Sequence, residues 1–211
     1  MFKTAFLDLD WTIYNCKRLE ADMLAVMAKY GVSEDDYKQT YHKSLRTVGQ
    51  DLFDYSFEEH IDFLAEIGYK LDGELLADLN DLFKKDYLFP GSLEFIRFFK
   101  IIARQTVLLT AGDPKFQRTK IDRAGIGGMF DKVEIVPGNK VKYLIEQKFP
   151  APIIFINDNL SENIAIHAAR PDIIVVTKAN LNRTTLADLQ ASGIPFFYTL
   201  EEIIDYVSKL K

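Results

Sequence analysis

Two carboxylates two residues apart, Asp8 and Asp10, close the apolar run Ala5-Phe6-Leu7 and open a turn that continues through Trp11 and Thr12. Such a run reads as a strand buried on both faces, so the acids stand at its C-terminal end, the edge of a parallel sheet where ligand crevices open. Carboxylates this close repel unless a cation or a shared proton offsets them. That division of labour assigns Asp8 to remain ionised as nucleophile and metal ligand, and Asp10 to exchange a proton. The pair alone leaves a plainer reading open, in which both are turn and N-cap residues.

Three other strand ends carry groups that could share that chemistry. Thr110 ends the run Val107-Leu108-Leu109 and leads through Ala111-Gly112 into Asp113-Pro114, an N-cap and first helical position. Exposed N–H groups at such a turn suit a phosphate, and a turn in which Thr110 bonds its own backbone is the alternative. Lys140 opens a helix after Pro137-Gly138-Asn139, where an ammonium opposes the macrodipole. Neutralising a phosphoryl group beside a carboxylate nucleophile would give it a reason, since unit charges about 4 Å apart interact by about 4 kcal/mol at an effective dielectric near 20. Lys142 competes for the role. Asp158 follows Ile153-Ile154-Phe155-Ile156-Asn157, with Glu162 four residues on. Oxygen ligands there suit a hard cation such as Mg²⁺, which takes one or two carboxylates plus waters and phosphate. An Asx turn accounts for Glu162 better than for Asp158, whose carboxylate is costly to desolvate without a partner.

The elements that must position these groups follow from periodicity. Residues 19–87 form an all-helical segment of about four helices: Leu19, Met23, Val26, Met27 and Tyr30 share one helical face, as do Phe57, Ile61 and Leu64, and Leu75, Leu79, Leu82 and Phe83 form another stripe. Ser33 before Asp36 and Ser56 before Glu59 have the spacing of N-terminal caps. After Pro90-Gly91, helices alternate with strands at 105–110, 132–136, 152–157, 172–177 and 196–198. Alternation of this kind predicts right-handed crossovers and a doubly wound parallel α/β sheet. The expected division is a core of residues 1–14 and 88–211 and a helical lid of 15–87, inserted directly above the acid pair.

Composition excludes several alternatives. A net charge of −5 and a pI near 5.3 give no electrostatic footprint for nucleic acid. The single cysteine, Cys16, rules out an internal disulfide framework and reads as a buried inert thiol in a reducing compartment. No apolar run approaches the roughly 20 residues of a membrane span, and the first strand begins without a charged leader, so the expectation is a soluble, cytoplasmic protein with no membrane partner.

The order of acids, hydroxyl, lysine and acid along the chain resembles the haloacid dehalogenase superfamily, and the match runs through the whole sequence. Asp8-Leu9-Asp10-Trp11-Thr12 is similar to its first motif, Thr110 to its second, Lys140 to its third, and Asp158 with Glu162 to its fourth. The helical segment resembles the family's type 1 cap, and Asp113-Pro114-Lys115-Phe116-Gln117 a run common in its phosphatase branches. The resemblance implies a Rossmann-like sheet of order 5-4-1-2-3 and Mg²⁺-dependent phosphoryl transfer. It implies further that Asp8 forms an aspartyl-phosphate, that Asp10 protonates the leaving oxygen and then activates water, and that Thr110 and Lys140 hold the phosphoryl oxygens. Mg²⁺ would be bound by the Asp8 side chain, the Asp10 carbonyl and Asp158, with Glu162 acting from the second layer or through water. The second acid, Asp10, favours phosphate over halide chemistry. Two residues depart from the pattern: Trp11 stands where the family usually has Gly or a small polar residue, and Asn157 where Gly often precedes the metal acid. The indole either narrows the site or anchors the cap, and Asn157 is read as tolerating an unusual backbone conformation.

The function expected is hydrolysis of a small phosphorylated metabolite, a phosphoric monoester, with Mg²⁺ as cofactor. A phosphomutase, and a non-catalytic phosphate-binding or protein-interaction module on the same scaffold, are the alternatives. His42, Lys43 and Arg46 form a basic cluster that contacts an anionic substrate or is a solvated face. Tyr37, Tyr41, Phe53, Tyr55 and Phe57 line a pocket or pack in the core, and His60 and His167 are read as structural.

Overall fold

The central strand is β1 (Phe2–Leu7), whose Ala5, Phe6 and Leu7 are wholly buried, as a strand covered on both faces requires. The computed structural model describes residues 1–47 and 53–210, with the main chain alone at 46, 47, 53 and 54. After β1 come α1 (Cys16–Lys29), α2 (Glu34–Ser44), a two-residue ribbon of β2 (Arg46–Thr47) against β3 (Phe53–Asp54), α3 (Phe57–Glu66) and α4 (Gly73–Asp81). The chain then alternates: α5 (Ser92–Ile102), β4 (Ala103–Ala111), α6 (Pro114–Arg123), β5 (Lys132–Val136), α7 (Lys140–Glu146), β6 (Ile153–Asn157), α8 (Leu160–Ala169), β7 (Ile173–Lys178), α9 (Leu186–Ala191), β8 (Phe196–Phe197) and α10 (Leu200–Ser208).

All pairings in the large sheet are parallel, in the order β5-β4-β1-β6-β7-β8. The expected order 5-4-1-2-3 is the run β7-β6-β1-β4-β5, and β8 adds an outer strand beyond β7. Order reverses on either side of β1, which makes its C-terminal end the switch point where a crevice must open. Helix starts follow the sequence signals. Asp113 accepts from the Phe116 N–H at 2.7 Å with Pro114 in the first turn, and Thr185 with Asp188 and Thr199 with Glu202 form reciprocal capping boxes.

The inserted segment differs from an all-helical lid in one place. The β2–β3 ribbon pairs Arg46 with Asp54 and Thr47 with Phe53, because the helical stripe lapses between the end of α2 and Ser56, the N-cap of α3. The two crossings between lid and sheet run side by side: the Asn15 N–H donates to the Tyr87 carbonyl at 2.7 Å and the Phe89 N–H to Ile13 at 2.9 Å. The lid packs on α6 through Phe116, whose ring lies 5.1–5.3 Å from those of Tyr55, Phe57 and Phe83, and Lys115 pairs with Glu58 at 2.6 Å. Within the lid His60 is wholly buried, not on a surface. Its Nε2 lies 2.9 Å from the Thr40 hydroxyl and its Nδ1 2.9 Å from the Tyr55 hydroxyl, so both ring nitrogens are hydrogen-bonded. Burial pushes its imidazole down to about 4, so it stays neutral.

Candidate active site

Asp8 leaves the end of β1 with its N–H donating to the Ile156 carbonyl on β6 at 3.0 Å, and is 2% exposed. The next residues turn sharply: Ile13 and Tyr14 N–H groups donate to the Leu9 carbonyl, and the Trp11 N–H to Tyr14 at 2.8 Å. Trp11 takes a φ of 61°, the one positive value among the described non-glycine residues. A left-handed backbone costs an indole-bearing residue what it would spare glycine, so the departure at position 11 is a strained one. The side chain offsets this by burial, 9% exposed in the main core, with the Arg183 guanidinium 5.3 Å above its ring. It both anchors and lines the cleft.

The strand ends converge. Asp8, Asp10, Thr110, Lys140, Asp158 and Glu162 all line one cleft of about 150 Å³, between the sheet edge and a lid wall that includes Leu19, Met23, Tyr41 and Tyr55. Asp8 Oδ1 accepts from Lys140 Nζ at 2.7 Å and Oδ2 from the Thr12 hydroxyl at 3.0 Å. Lys140, not Lys142, is the lysine of the site: it is buried and also contacts Asn157 at 2.9 Å and Glu162 at 3.1 Å, whereas Lys142 is 74% exposed and reaches toward Glu146. Asp158 accepts from Asn180 Nδ2 at 2.9 Å.

Asn157 corrects an expectation. It is absent from the positive-φ residues, so its value is not conformational. Its amide is a junction, with Oδ1 accepting from Lys140 and Nδ2 donating to Glu162 at 2.9 Å and Asn163 at 3.0 Å. Lys140 is thereby fixed between Asp8 and Glu162. Glycine could not do this, which supplies a physical reason for an amide at that position.

The electrostatics follow from these contacts. Burial pushes the Asp8 carboxyl up to about 7, with Lys140 opposing and Asp158 and Asp10 adding to the rise. Burial likewise raises Asp158 against the pull of Lys140 and Asn180. Lys140 is held above the ordinary ammonium range because Asp8, Glu162 and Asp158 outweigh its burial. When all three are ionised, Asp8, Asp158 and Glu162 carry −3 against +1 on Lys140, a net of −2 that one divalent cation would offset. Among the described residues no group of three or more His, Cys, Asp or Glu side chains forms a metal cage. Two carboxylates completed by main-chain, water or phosphate oxygens is the donor set Mg²⁺ accepts, so the residues fit that ion.

Asp10 has partners the sequence did not foretell. Its Oδ1 is ion-paired with Lys120 and accepts from the Cys16 thiol at 3.1 Å, and its Oδ2 accepts from Gln117 at 2.7 Å. Against burial, Lys120 and these donors hold the carboxyl below its usual range. Cys16 is buried as expected but lies on the cleft, where burial and Asp10 push its thiol up and keep it protonated. Lys120, Asn180 and Arg183 by themselves carry no signal in the sequence, and the motif runs that include Thr12 and Gln117 give neither of them a partner. Only the helical spacing of Gln117 and Lys120 after Asp113-Pro114 could have shown that two polar side chains share a face. His42 and Lys43 are exposed and absent from the cleft, Lys43 pairing with Glu66 at 2.5 Å, so they form a solvated face. The side chains of Arg46 and Phe53 lie outside the described residues. Tyr41 and Tyr55 line the cleft, Tyr37 and Phe57 are core, and His167 is exposed.

The sheet order, the insertion after β1 and the site at the switch point define a haloacid dehalogenase-like α/β fold. Solved structures of that class superpose over nearly the whole chain. A protein assigned as a haloacid dehalogenase-like hydrolase from Burkholderia xenovorans LB400 matches with a TM-score of 0.75 at 22% identity, over 99% of this chain and 98% of that one. The L-2-haloacid dehalogenase of Xanthobacter autotrophicus matches at 0.67 and 18% identity over 100% of both chains. YfnB of Bacillus subtilis, assigned as a HAD-hydrolase and bound to magnesium, matches at 0.61 and 18% over 97% and 98%. No family model matches the sequence, and no curated protein matches it. No helix among the described residues is long and apolar enough to cross a membrane.

Proposed function

We propose that this chain is a Mg²⁺-dependent phosphoric monoester hydrolase of the haloacid dehalogenase superfamily, with residues 15–87 as a cap over the α/β core. The observation that carries the reading is the convergence on one cleft of Asp8, Thr110 and Asp158, from the ends of β1, β4 and β6, with Lys140 from the start of α7. Asp8 is the nucleophile: it is fixed between β1 and β6, and its oxygens keep lone pairs free beyond those taken by Lys140 and Thr12. In-line attack on phosphorus gives an aspartyl-phosphate and releases the alcohol. Lys140 holds charge against the transferring group, and Thr110 presents a hydroxyl to its oxygens. Asp10, held as a carboxylate by Lys120, takes a proton from the water that cleaves the acyl phosphate and passes that proton to the leaving oxygen of the next ester. Asp8, the Asp10 main-chain carbonyl and Asp158 would hold Mg²⁺, with Glu162 acting through Lys140 and Asn157. The ion supplies charge neutralisation for the phosphate and for the carboxylate pair when bound.

The cleft volume and its mixed polar and apolar lining favour a small phosphorylated metabolite as substrate. Asp10 supports phosphate over halide chemistry, because a halide leaves without a proton. The test is a panel of small phosphomonoesters with and without Mg²⁺, run beside Asp8→Asn. Metal-dependent phosphate release abolished in the variant is expected. Equal, background rates for both proteins across the panel would remove the reading in favour of a non-catalytic phosphate-binding module. Transfer to an added sugar phosphate with little release would replace it with a mutase.

A further inference from the structure

Two of the three side chains that hold Asp10 come from one helix, the third being the Cys16 thiol of α1, 3.1 Å from Oδ1. From α6, Lys120 ion-pairs with Oδ1, and Gln117 Nε2 donates to Oδ2 at 2.7 Å and to the Ala111 carbonyl at 2.9 Å. Lys120 is 2% exposed, and its ammonium lies 5.0 Å from the Tyr14 ring centre and 5.5 Å from that of Phe116. Its one salt-bridge partner among the described residues is Asp10. A lysine this deep is rare and needs a carboxylate close by. Gln117 repeats the message differently: its Oε1 is buried with no hydrogen-bond partner. Leaving a buried carbonyl unmatched is costly, and is tolerated here so that the amide N–H meets Asp10. The helix is itself pinned between these two residues and the lid, because Phe116 sits in the Tyr55, Phe57, Phe83 cluster.

We propose that Lys120, assisted by Gln117, is the positioning residue for Asp10, fixing the carboxylate at the angle from which it reaches the leaving oxygen and the attacking water. The inference rests on the phosphoryl-transfer reading but concerns the aim of Asp10, not the attack by Asp8. A group displaced by about 1 Å can lose on the order of a hundredfold in rate. The two half-reactions separate the roles. p-Nitrophenolate departs without a proton, so Asp8 phosphorylation from p-nitrophenyl phosphate needs no aid from Asp10, whereas departure of an alcohol, and hydrolysis of the acyl phosphate, do.

The experiment is a double-mutant cycle in the full chain with Mg²⁺: wild type, Lys120→Met, Asp10→Asn and the double variant, assayed on an alkyl phosphate and on p-nitrophenyl phosphate. Asp10→Asn is expected to lower kcat on the alkyl ester about 10²- to 10⁴-fold, and Lys120→Met about 10- to 100-fold with KM held within about threefold. Adding Lys120→Met to Asp10→Asn should change kcat by less than about threefold, and the rapid burst of p-nitrophenolate should survive in Lys120→Met. Gln117→Leu, which keeps the ion pair, is run in the same cycle, shows a smaller loss that vanishes on Asp10→Asn, and carries the test if Lys120→Met does not fold. Additive losses, a lost burst, or wild-type turnover in Lys120→Met and Gln117→Leu would each overturn the assignment. A wild type that releases no phosphate would instead overturn the phosphatase reading.

Discussion

Replacing Lys140 with methionine isolates the charge balance of the site. The ammonium is buried and bonded to Asp8 at 2.7 Å, to Asn157 at 2.9 Å and to Glu162 at 3.1 Å. Two effects oppose. Removing a positive charge from the first turn of α7 relieves its clash with the macrodipole by about 0.3–1 kcal/mol. Removing one partner of a buried pair costs about 3–5 kcal/mol, because Asp8 and Glu162 lose their counter-charge and the local total falls from −2 to −3. The second effect wins, leaving a net loss of about 2–5 kcal/mol. For a domain of this size that corresponds to a fall in Tm of roughly 4–20 °C. The assay is thermal unfolding of the metal-free protein at pH 7.5 and at pH 5. The loss should be larger at pH 7.5, because Asp8, already pushed up to about 7, takes a proton at pH 5 and no longer needs the ammonium. A change under about 1 kcal/mol at pH 7.5, or the same change at both pH values, would refute the assignment of Lys140 as counter-charge to Asp8.

Three further outcomes are expected. Between its ordinary value and about 7, Asp8 binds a proton in the folded chain that the unfolded chain lacks, so its contribution to metal-free stability declines as pH rises across that window. On the proposed reading Mg²⁺ would compete with that proton, and its affinity measured by calorimetry should strengthen up to about pH 7 and then level off. His60 behaves oppositely: below its unfolded value of 6.5 the unfolded chain takes a proton that the buried ring, near 4, refuses, so stability falls from pH 6.5 toward 4 by on the order of 3 kcal/mol. Urea unfolding of His60→Gln should show that acid-side slope flattened, and an unchanged slope would assign it elsewhere. Trp11→Gly relieves about 1 kcal/mol of backbone strain but empties a core position worth about 3–5 kcal/mol, so a net loss of about 2–4 kcal/mol is expected in denaturant titration, and a gain would place the indole outside the core.

What the sequence disclosed is what one-dimensional pattern can encode. Apolar runs located β1, β4, β6 and β7, and alternation with helices implied a parallel sheet with Asp8, Thr110, Lys140 and Asp158 at one edge, whereas the strand order came only with the family resemblance. Lys120 is not legible in the sequence because α6 carries little apolar character, and a stripe of polar residues at helical spacing does not tell which way it faces. Only the burial of Gln117, Lys120 and Ile121 shows that the stripe turns inward to Asp10. Asn157 escaped because a position usually read for its backbone is occupied here for its side chain. The ribbon within the lid was invisible because two-residue strands have no period.

The partition of the cleft between its two walls has a consequence for how this protein could change. The groups to which the proposed reading gives the phosphate come from the ends of β1, β4 and β6 and the start of α7, whereas Leu19, Met23, Tyr41 and Tyr55 descend from the inserted segment. On that reading, substitution among those four side chains would reshape which ester is admitted while leaving the opposite wall intact. Selectivity in such a scaffold is a detachable property, open to redesign or drift without relearning the reaction.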